Sequence, residues 1–297
     1  MEFGKLDDIS QVRWALPQDD SRNSSRFPPT LAPKLFLGSP AWGSRHWLGK
    51  IYPLKSKPEE FLYYYSRNFN CIELNTTHYR IPDHETAKGW LSQVPAEFKF
   101  CPKLHKDISH SRFGPLDKTI LNHWLSFLEQ MQTHLGPCFI QFHEMFSYAE
   151  KSTLFQFLEN WPSDYKLCVE LRHPSWFQKG VILPALADYL YKKNIGLVIT
   201  DVAGRRDVLH STLSAPWCQI RLIGNDLDPS DSQRLQDWAL RIKQWQNQGL
   251  QETFLFLHQT DDILTIEFAR LAHTILTQHG FKNIPTFLLQ EEQGSLL

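Results

Sequence analysis

The sequence has few of the features that mark a secreted, zinc-binding or disulfide-rich protein. Its five cysteines are an odd number, and no Cys-x-x-Cys pair occurs in its 297 residues. Disulfide frameworks usually need an even set of cysteines, and structural zinc sites use closely spaced pairs. The N-terminus lacks the basic segment followed by an apolar one that a secretory signal would show. These absences favour a cytoplasmic protein whose cysteines are buried free thiols.

An excess of charge of one sign and a long apolar run are also missing. The formal net charge is −1 at pH 7, whereas duplex-DNA binders usually carry a basic field. No stretch approaches the roughly 18 apolar residues that a membrane-spanning helix needs. We therefore expect no membrane partner and no extended nucleic-acid track, while the oligomeric state stays open.

Glycine-rich phosphate-binding motifs are absent as well. Neither Gly-x-Gly-x-x-Gly nor Gly-x-x-x-x-Gly-Lys-Ser/Thr follows any predicted strand, which removes the usual dinucleotide and P-loop interpretations. What the chain does have is core-forming material, with 42% hydrophobic residues that include 20 Phe and 10 Trp. Its length fits either two ordinary domains or one large α/β barrel, which typically needs about 250 residues.

The hydrophobic pattern alternates between strands and helices. Residues 1–34 are polar and are predicted to form a loosely ordered N-terminal arm, followed by a single domain over residues 35–297. Eight strand segments are predicted, at 35–38, 70–75, 98–103, 138–143, 166–172, 195–201, 217–223 and 254–258. Helical segments are predicted at 58–68, 84–91, 117–130, 151–160, 180–193, 231–247 and 262–279, with a short irregular or helical stretch near 205–213. This alternation predicts a (β/α)8 TIM-type barrel with a polar N-terminal extension, and a doubly wound open sheet is the alternative.

The strands become polar toward their C-terminal ends. In residues 167–172, for example, apolar Leu, Val and Leu alternate with Cys168, Glu170 and Arg172, and Pro174 then ends the strand. The same alternation in the other strands predicts one convergent set at the C-terminal mouth of the barrel: Glu73, Asn75, Lys103, Gln141, His143, Glu170, Arg172, Asp201, Arg221 and His258. Barrel enzymes keep their chemistry at this mouth, although a plug of structural ion pairs is the alternative.

The residue types suggest acid/base chemistry on a small anionic ligand. Lys103, Arg172 and Arg221 suit a phosphate or carboxylate, and Glu73 and Glu170 would serve as general acid and base if burial raised one pKa and the cations lowered the other. The predicted catalytic residues are Glu73, Glu170, His143, Asp201 and His258. The predicted substrate-binding residues are Asn75, Lys103, Gln141, Arg172, His173, Arg221, Trp42, Tyr79 and Trp176. The three aromatic residues could equally pack loop against loop.

Several spaced blocks give the chain a resemblance to a known family. They include Trp42-Gly43 with residues 47–53, then residues 72–82, 98–103 and 170–176. These blocks resemble the YecE-like proteins, also called domain of unknown function 72. The resemblance implies a TIM-barrel fold and an unassigned enzymatic activity. The chain departs from the family pattern at Arg221-Leu222-Ile223-Gly224, where the family has Arg-x-His-Gly, and at the end of the eighth strand, where residues 256–262 stand instead of a Phe-Asn-Asn type sequence.

We therefore expect a metal-independent hydrolase or isomerase that acts on a small anionic substrate, with no cofactor. Two alternatives stay open. One is a divalent-metal-dependent phosphoesterase that uses carboxylate and imidazole ligands. The other is a non-catalytic barrel that binds a nucleotide or single-stranded nucleic acid.

Overall fold

The computed structural model describes residues 4–29, 32–109, 118–282 and 284–287. Within these residues, strands and helices alternate along the chain. The strands are β1 Lys34–Gly38, β2 Cys71–Leu74, β3 Lys99–Pro102, β4 Cys138–Gln141, β5 Leu167–Glu170, β6 Phe177–Gln178, β7 Val181–Ile182, β8 Gly196–Asp201, β9 Trp217–Ile223 and β10 Glu252–His258. The helices are α1 Asn23–Arg26, α2 Phe61–Asn68, α3 His84–Leu91, α4 Lys106–Ser109, α5 Lys118–Met131, α6 Lys151–Glu159, α7 Pro184–Lys192, α8 Pro229–Asn247 and α9 Thr265–Gln278.

A six-stranded parallel sheet forms the centre of the molecule. Its strand order is β1-β10-β9-β8-β5-β4, and β2 and β3 form a separate parallel pair. Parallel strands need crossover connections, which the helices between them supply. This arrangement confirms the predicted α/β class with parallel strands.

Closure of the sheet into a barrel stays a prediction. Within the described residues, the strand ladders do not join β1 to β2, and β3 contacts the β4 side through two isolated bridges, Phe100 with Leu135 and Lys103 with Phe139. The central sheet is therefore described as six strands beside a two-stranded pair.

One local prediction differs from the structure. The predicted helix at 180–193 begins only at Pro184, because residues 177–182 form the short antiparallel hairpin of β6 and β7. The irregular or helical stretch predicted near 205–213 overlaps a kinked 3-10 segment, Ala203–Val208. Asp117, the predicted N-cap of α5, lies outside the described residues.

Alternation along the strands sorts side chains into two layers. Ile72, Ile140 and Val169 pack in the large apolar core together with helix residues such as Leu128 and Trp238. The opposite strand faces form two smaller buried clusters, one of Phe36, Cys71, Cys101, Phe254 and Phe256 and the other of Phe139, Cys168, Val198, Ala215 and Trp217. All five cysteines are buried free thiols.

The N-terminal arm packs against the body over residues 4–29. The Asn23 side chain donates to the Ser211 carbonyl at 2.7 Å, and Arg26 donates to the Leu213 carbonyl at 2.6 Å. The Trp245 indole donates to Asp19 at 2.7 Å. The domain division at residue 34 stays a prediction. None of the helices in the described ranges has the combined length and apolar character that crossing a bilayer requires.

Gly38 marks a close approach between β1 and β2. A Cβ atom at this position would lie 2.4 Å from the Cys71 carbonyl oxygen, so the backbone would have to shift. We expect Gly38→Ala to lower the free energy of unfolding by about 1–3 kcal/mol, the usual cost of overpacking. Gly43→Ala is the control, because its added Cβ would meet nothing within 4 Å. Equal urea midpoints for the two variants would contradict the close approach.

Candidate active site

Glu73 and Arg221 form a fully buried ion pair at the centre of the candidate site. Glu73 is the third residue of β2, and Arg221 is the fifth residue of β9. The guanidinium donates through Nε to Glu73 Oε2 at 2.8 Å and through Nη2 to Oε1 at 3.0 Å. Such a bidentate fork fixes the geometry of both groups.

Glu170 is the second carboxylate of the site, and it accepts hydrogen bonds from several strands. Arg221 Nη1 donates to its Oε2 at 3.0 Å, so one guanidinium bridges both glutamates. Gln141 on β4 donates at 2.7 Å, Thr200 on β8 at 3.0 Å, and Arg172 Nε at 2.6 Å. Only 1% of Glu170 is exposed.

Three further side chains extend this network. Lys103 Nζ donates to Gln141 Oε1 at 2.8 Å, which places an amine beside the amide that contacts Glu170. Asn75 Nδ2 donates to Glu73 Oε1 at 2.7 Å. His258 Nε2 lies 3.2 Å from Glu73 Oε2 and donates to it when it carries the proton.

Strand alternation and register bring these residues together from distant parts of the sequence. Gln141 is the register partner of Glu170, and Thr200 is the partner of Arg221. The carboxyl ends of parallel strands meet at one edge of a sheet, so the polar ends predicted from the sequence converge there. The structure brings together Glu73, Asn75, Lys103, Gln141, Glu170, Arg172, Arg221 and His258 in one hydrogen-bonded network.

Both glutamates are held in the ionised form. Burial alone would raise their pKa, but the cations outweigh it: Arg221 and His258 hold the pKa of Glu73 well below its usual range. Arg172 and Arg221 lower the pKa of Glu170 to about 2. The expectation that one glutamate would have a raised pKa and act as a general acid is therefore wrong, because a single arginine contacts both.

Lys103 and His258 are shifted toward their neutral forms. Burial, together with the positive charge of Arg221, lowers the pKa of Lys103 to about 8. Burial also lowers the pKa of His258, despite the neighbouring carboxylate of Glu73. Lys103 thus titrates closer to neutral pH than an ordinary lysine does.

Asp201 does not belong to this network, and its predicted place was wrong. Thr200, not Asp201, is the residue of β8 that contacts Glu170. Asp201 points to the helix side, where it accepts from Arg234 Nη2 at 2.7 Å and Trp238 Nε1 at 2.7 Å. The predicted alternation of β8 was shifted by one residue, because its last two residues are both polar and a one-residue shift exchanges the two faces.

The structure places two predicted histidines in loops beyond the strand ends. His143 is exposed, and its Nδ1 accepts from the Met145 backbone N–H at 3.2 Å. His173 caps a 3-10 turn, with Nδ1 accepting from the Ser175 N–H at 3.1 Å. Both hydrogen bonds organise loop backbone, and His143 and His173 stay predictions as site residues.

The three predicted aromatic residues have different environments. Trp176 is fully buried, donates to the Phe146 carbonyl at 2.6 Å and stacks on the Phe146 ring, so it packs loop against loop. Trp42 is half-buried and meets Trp90 edge-on. Tyr79 is 71% exposed and is the one of the three with an accessible ring face.

Sequence reasoning missed Thr200 and the cluster around Asp201. That cluster contains Arg206 and Arg234, whose guanidiniums also lie over the Trp14 ring of the N-terminal arm. The register of β8 against β9 would have identified Thr200, but register cannot be read from one strand alone. In the described part of the chain, no group of three or more His, Cys, Asp or Glu side chains is arranged to hold a metal ion.

The fold and the network define an α/β protein with a parallel sheet and a buried, arginine-bridged carboxylate pair at its C-terminal edge. The sequence model of the protein family "Protein of unknown function DUF72" matches residues 36–289. The chain belongs to this family.

Two curated proteins that are similar in sequence agree with this assignment. The UPF0759 protein YecE of Escherichia coli K12 is 30% identical over 261 residues, which covers 81% of this chain and 91% of that protein. The UPF0759 protein YunF of Bacillus subtilis 168 is 23% identical over 150 residues, covering 48% and 52%. None of these names states an activity or a substrate.

Two solved structures are similar in fold. A DUF72 family protein from Enterococcus faecalis V583 has a TM-score of 0.67 at 18% identity, covering 84% of this chain and 99% of that one. A DUF72 family protein from Thermotoga maritima MSB8 has a TM-score of 0.60 at 20% identity, covering 82% and 97%.

Proposed function

We propose that this protein is an enzyme that acts on a small phosphate- or carboxylate-bearing substrate by acid/base chemistry at the C-terminal mouth of a closed (β/α)8 barrel. The observation that carries the proposal is Glu170. Four side chains from different strands and loops donate to this one buried carboxylate, and its pKa is lowered to about 2. A general base has to be ionised and held in place, and Glu170 meets both conditions at neutral pH.

Backbone hydrogen bonds between neighbouring strands support a closed barrel. Between β1 and β2, the Asn70 N–H donates to the Leu37 carbonyl at 3.2 Å and the Glu73 N–H to the Ser39 carbonyl at 3.1 Å. Between β3 and β4, the Gly136 N–H donates to the Phe100 carbonyl at 2.8 Å. These contacts span the two places where the ladders are interrupted, and a ring of eight parallel strands follows if both are joined.

The charge of the network favours an anion. Lys103, Arg172 and Arg221 carry three positive charges beside the two carboxylates, while His258 is held toward its neutral form by burial. The surplus of one positive charge at neutral pH attracts a phosphate or carboxylate. Arg221 is fully engaged by the glutamates, so we assign its role to holding them rather than to binding the substrate.

This charge pattern favours proton abstraction over a mechanism that needs a carboxylic acid. Glu73 and Glu170 are both ionised at neutral pH, so neither can supply a proton, and Lys103, with a pKa of about 8, is the group that donates one. Abstraction of a proton beside a carbonyl, as in the isomerisation of a sugar phosphate, uses one base and one such acid. Glu170 is the proposed base.

The test compares turnover with ligand binding. Wild-type protein is assayed on a panel of sugar phosphates and phosphoesters, and inorganic phosphate binding is measured by calorimetry. We expect Glu170→Gln to lower kcat about 100-fold or more, the usual contribution of a general base, while phosphate binding is kept. Glu159→Gln is the matched control, because Glu159 pairs with Lys193 on the exposed helix surface.

Two outcomes would replace this proposal. Phosphate or nucleotide binding without turnover of any compound by the wild type favours the non-catalytic binding module. Turnover that is lost with a chelator and restored by Mn²⁺ or Mg²⁺ favours the metal-dependent phosphoesterase.

A further inference from the structure

Lys103 lies in the network without a carboxylate partner of its own. Its Nζ hydrogen-bonds to the neutral amide of Gln141. Among the ion pairs of the described residues, Glu73 and Glu170 are paired with arginines and a histidine and not with Lys103. A lysine beside two carboxylates would ordinarily form an ion pair with one of them. Here the guanidinium of Arg221 forms ion pairs with both carboxylates.

The backbone at Lys103 is fixed at the end of β3. Its N–H donates to the Leu74 carbonyl at 3.1 Å, and its carbonyl accepts from the Thr77 hydroxyl at 2.7 Å. A bridge joins Lys103 to Phe139 on β4. The side chain therefore starts from a rigid position, which a reactive group requires.

We propose that Lys103 is a nucleophile that forms an imine with an aldehyde or ketone group of the substrate. This inference rests on the proposed function and narrows its substrate class to small anionic carbonyl compounds. Lysines beside other cations and away from water are the ones used for imine chemistry in enzymes.

The protonation state supports this role. Burial and the charge of Arg221 lower the pKa of Lys103 to about 8 from the usual 10.5. At neutral pH, this shift increases the fraction of free amine by about 300-fold over an ordinary lysine.

The reaction balances without any further reagent. The ammonium first releases one proton within the site, and the Nζ lone pair attacks the carbonyl carbon, so that a C–N bond forms as the C=O π bond breaks. A second proton moves from Nζ to the oxygen and gives a carbinolamine. The C–O bond then breaks as the hydroxyl takes back the first proton and leaves as water, and the product is a protonated imine. Because the ammonium and the protonated imine both carry one positive charge, the charge balance with Glu73 and Glu170 is unchanged. The imine withdraws electrons from the adjacent C–H bond, whose proton Glu170 accepts.

Lys99 provides an internal comparison on the same strand. It lies four residues earlier, at the opposite end of β3, and its Nζ donates to the Thr133 carbonyl. Burial also lowers the pKa of Lys99. Lys99 begins β3 and Lys103 directly follows its last residue, so the two lysines share chemistry and partial burial but differ in their proximity to the carboxylate network.

Borohydride trapping tests the proposal. Wild-type protein is incubated with pyruvate, glyoxylate or dihydroxyacetone phosphate, reduced with sodium borohydride, and mapped by peptide mass spectrometry. We expect one reduced adduct per chain, on Lys103, at least tenfold more abundant than on Lys99, with a yield that rises between pH 7 and 9. Lys103→Arg keeps the charge and should lower the adduct about tenfold, whereas Lys99→Arg should leave it unchanged.

The comparison of two lysines within the wild type does not depend on how any variant folds. The imine proposal is overturned if adducts on Lys103 are no more abundant than those on Lys99. It is also overturned if adducts are spread over the lysines according to their exposure. If Glu170-dependent turnover persists in Lys103→Arg, the imine and the role of Lys103 as proton donor both fail, while the proposed acid/base enzyme with Glu170 as its base stands. If phosphate binding and turnover are absent but Lys103 is trapped selectively, the proposed function fails and the reactive amine stands.

Discussion

Arg221→Met is expected to lower the free energy of unfolding by about 3–5 kcal/mol at pH 7, the range for breaking a buried ion pair from one side. Arg221 is 2% exposed and contacts both buried carboxylates. Methionine fills similar space but leaves the buried Glu73 without an arginine partner, and Glu170 keeps only Arg172. Urea denaturation with circular dichroism measures the effect.

The loss of stability in Arg221→Met should depend on pH in a defined direction. In the wild type, the pKa of both glutamates is held below the value of 4.5 that applies when unfolded. Their ionisation therefore adds stability above pH 4.5, and this is lost as pH falls toward 2. In Arg221→Met, the loss of this cation raises the pKa of both glutamates relative to the wild type, so the loss of stability is largest near neutral pH and shrinks below pH 4.5.

Two controls make this result specific. Arg80→Met removes an arginine that is exposed and lies 3.8 Å from Asp83, and it should leave the urea midpoint unchanged. The triple variant Arg221→Met, Glu73→Gln, Glu170→Gln removes charge from both sides and should recover much of the lost stability. A triple variant less stable than Arg221→Met would show that the carboxylates are not the source of the deficit.

Asp201→Asn is the second substitution with a large expected effect, about 3–5 kcal/mol of stability, with phosphate binding unchanged. Asp201 and Arg234 are both fully buried, and the carboxylate also accepts from Arg206 and from the Trp238 indole. An asparagine would turn one acceptor into a donor that faces other donors, and it would leave the buried Arg234 with only the longer contact to Asp231, at 3.4 Å. Urea denaturation and phosphate calorimetry on the same sample test both parts.

Loss of this carboxylate should also loosen the N-terminal arm. Arg206 Nη2 donates to the Trp14 carbonyl at 2.9 Å, so faster proteolysis of residues 4–29 is expected. Asp207→Asn is the matched control, since Asp207 is half exposed and pairs with Arg205. If Asp201→Asn kept its stability but lost phosphate binding or turnover, Asp201 would belong to the site after all.

The limits of sequence reasoning are clearest at the strand ends. Alternation over residues 71–75 and 167–172 placed Glu73, Glu170 and Arg172 on the correct faces, because each polar residue is separated from the next by an apolar one. At the end of β8, two adjacent polar residues made either face plausible, and only the register against β9 selects Thr200. The same reasoning could not decide the role of Trp176, because a tryptophan in a loop can either line an open site or be buried against another loop.

The ionisation states of the site residues could not be predicted from the sequence, for a related reason. Two glutamates and three cations were predicted at one edge, but their pKa values depend on which groups touch. A single guanidinium between Glu73 and Glu170 keeps both ionised and leaves Lys103 with a neutral partner. The direction of each pKa shift follows from this pairing and not from the composition of the set.

The sequence alone determined the alternation of strands and helices, the family, and most of the residues that gather at the carboxyl edge, because side-chain periodicity and residue order are local properties of the chain. The tertiary structure decided how those residues pair, which side of β8 faces the network, and how the N-terminal arm is held. These depend on strand register and on distances between segments more than 100 residues apart, such as the 148 residues between Glu73 and Arg221. Electrostatic interactions fall off with distance and with exposure to solvent, so the chemistry of the site is set only when the chain has folded.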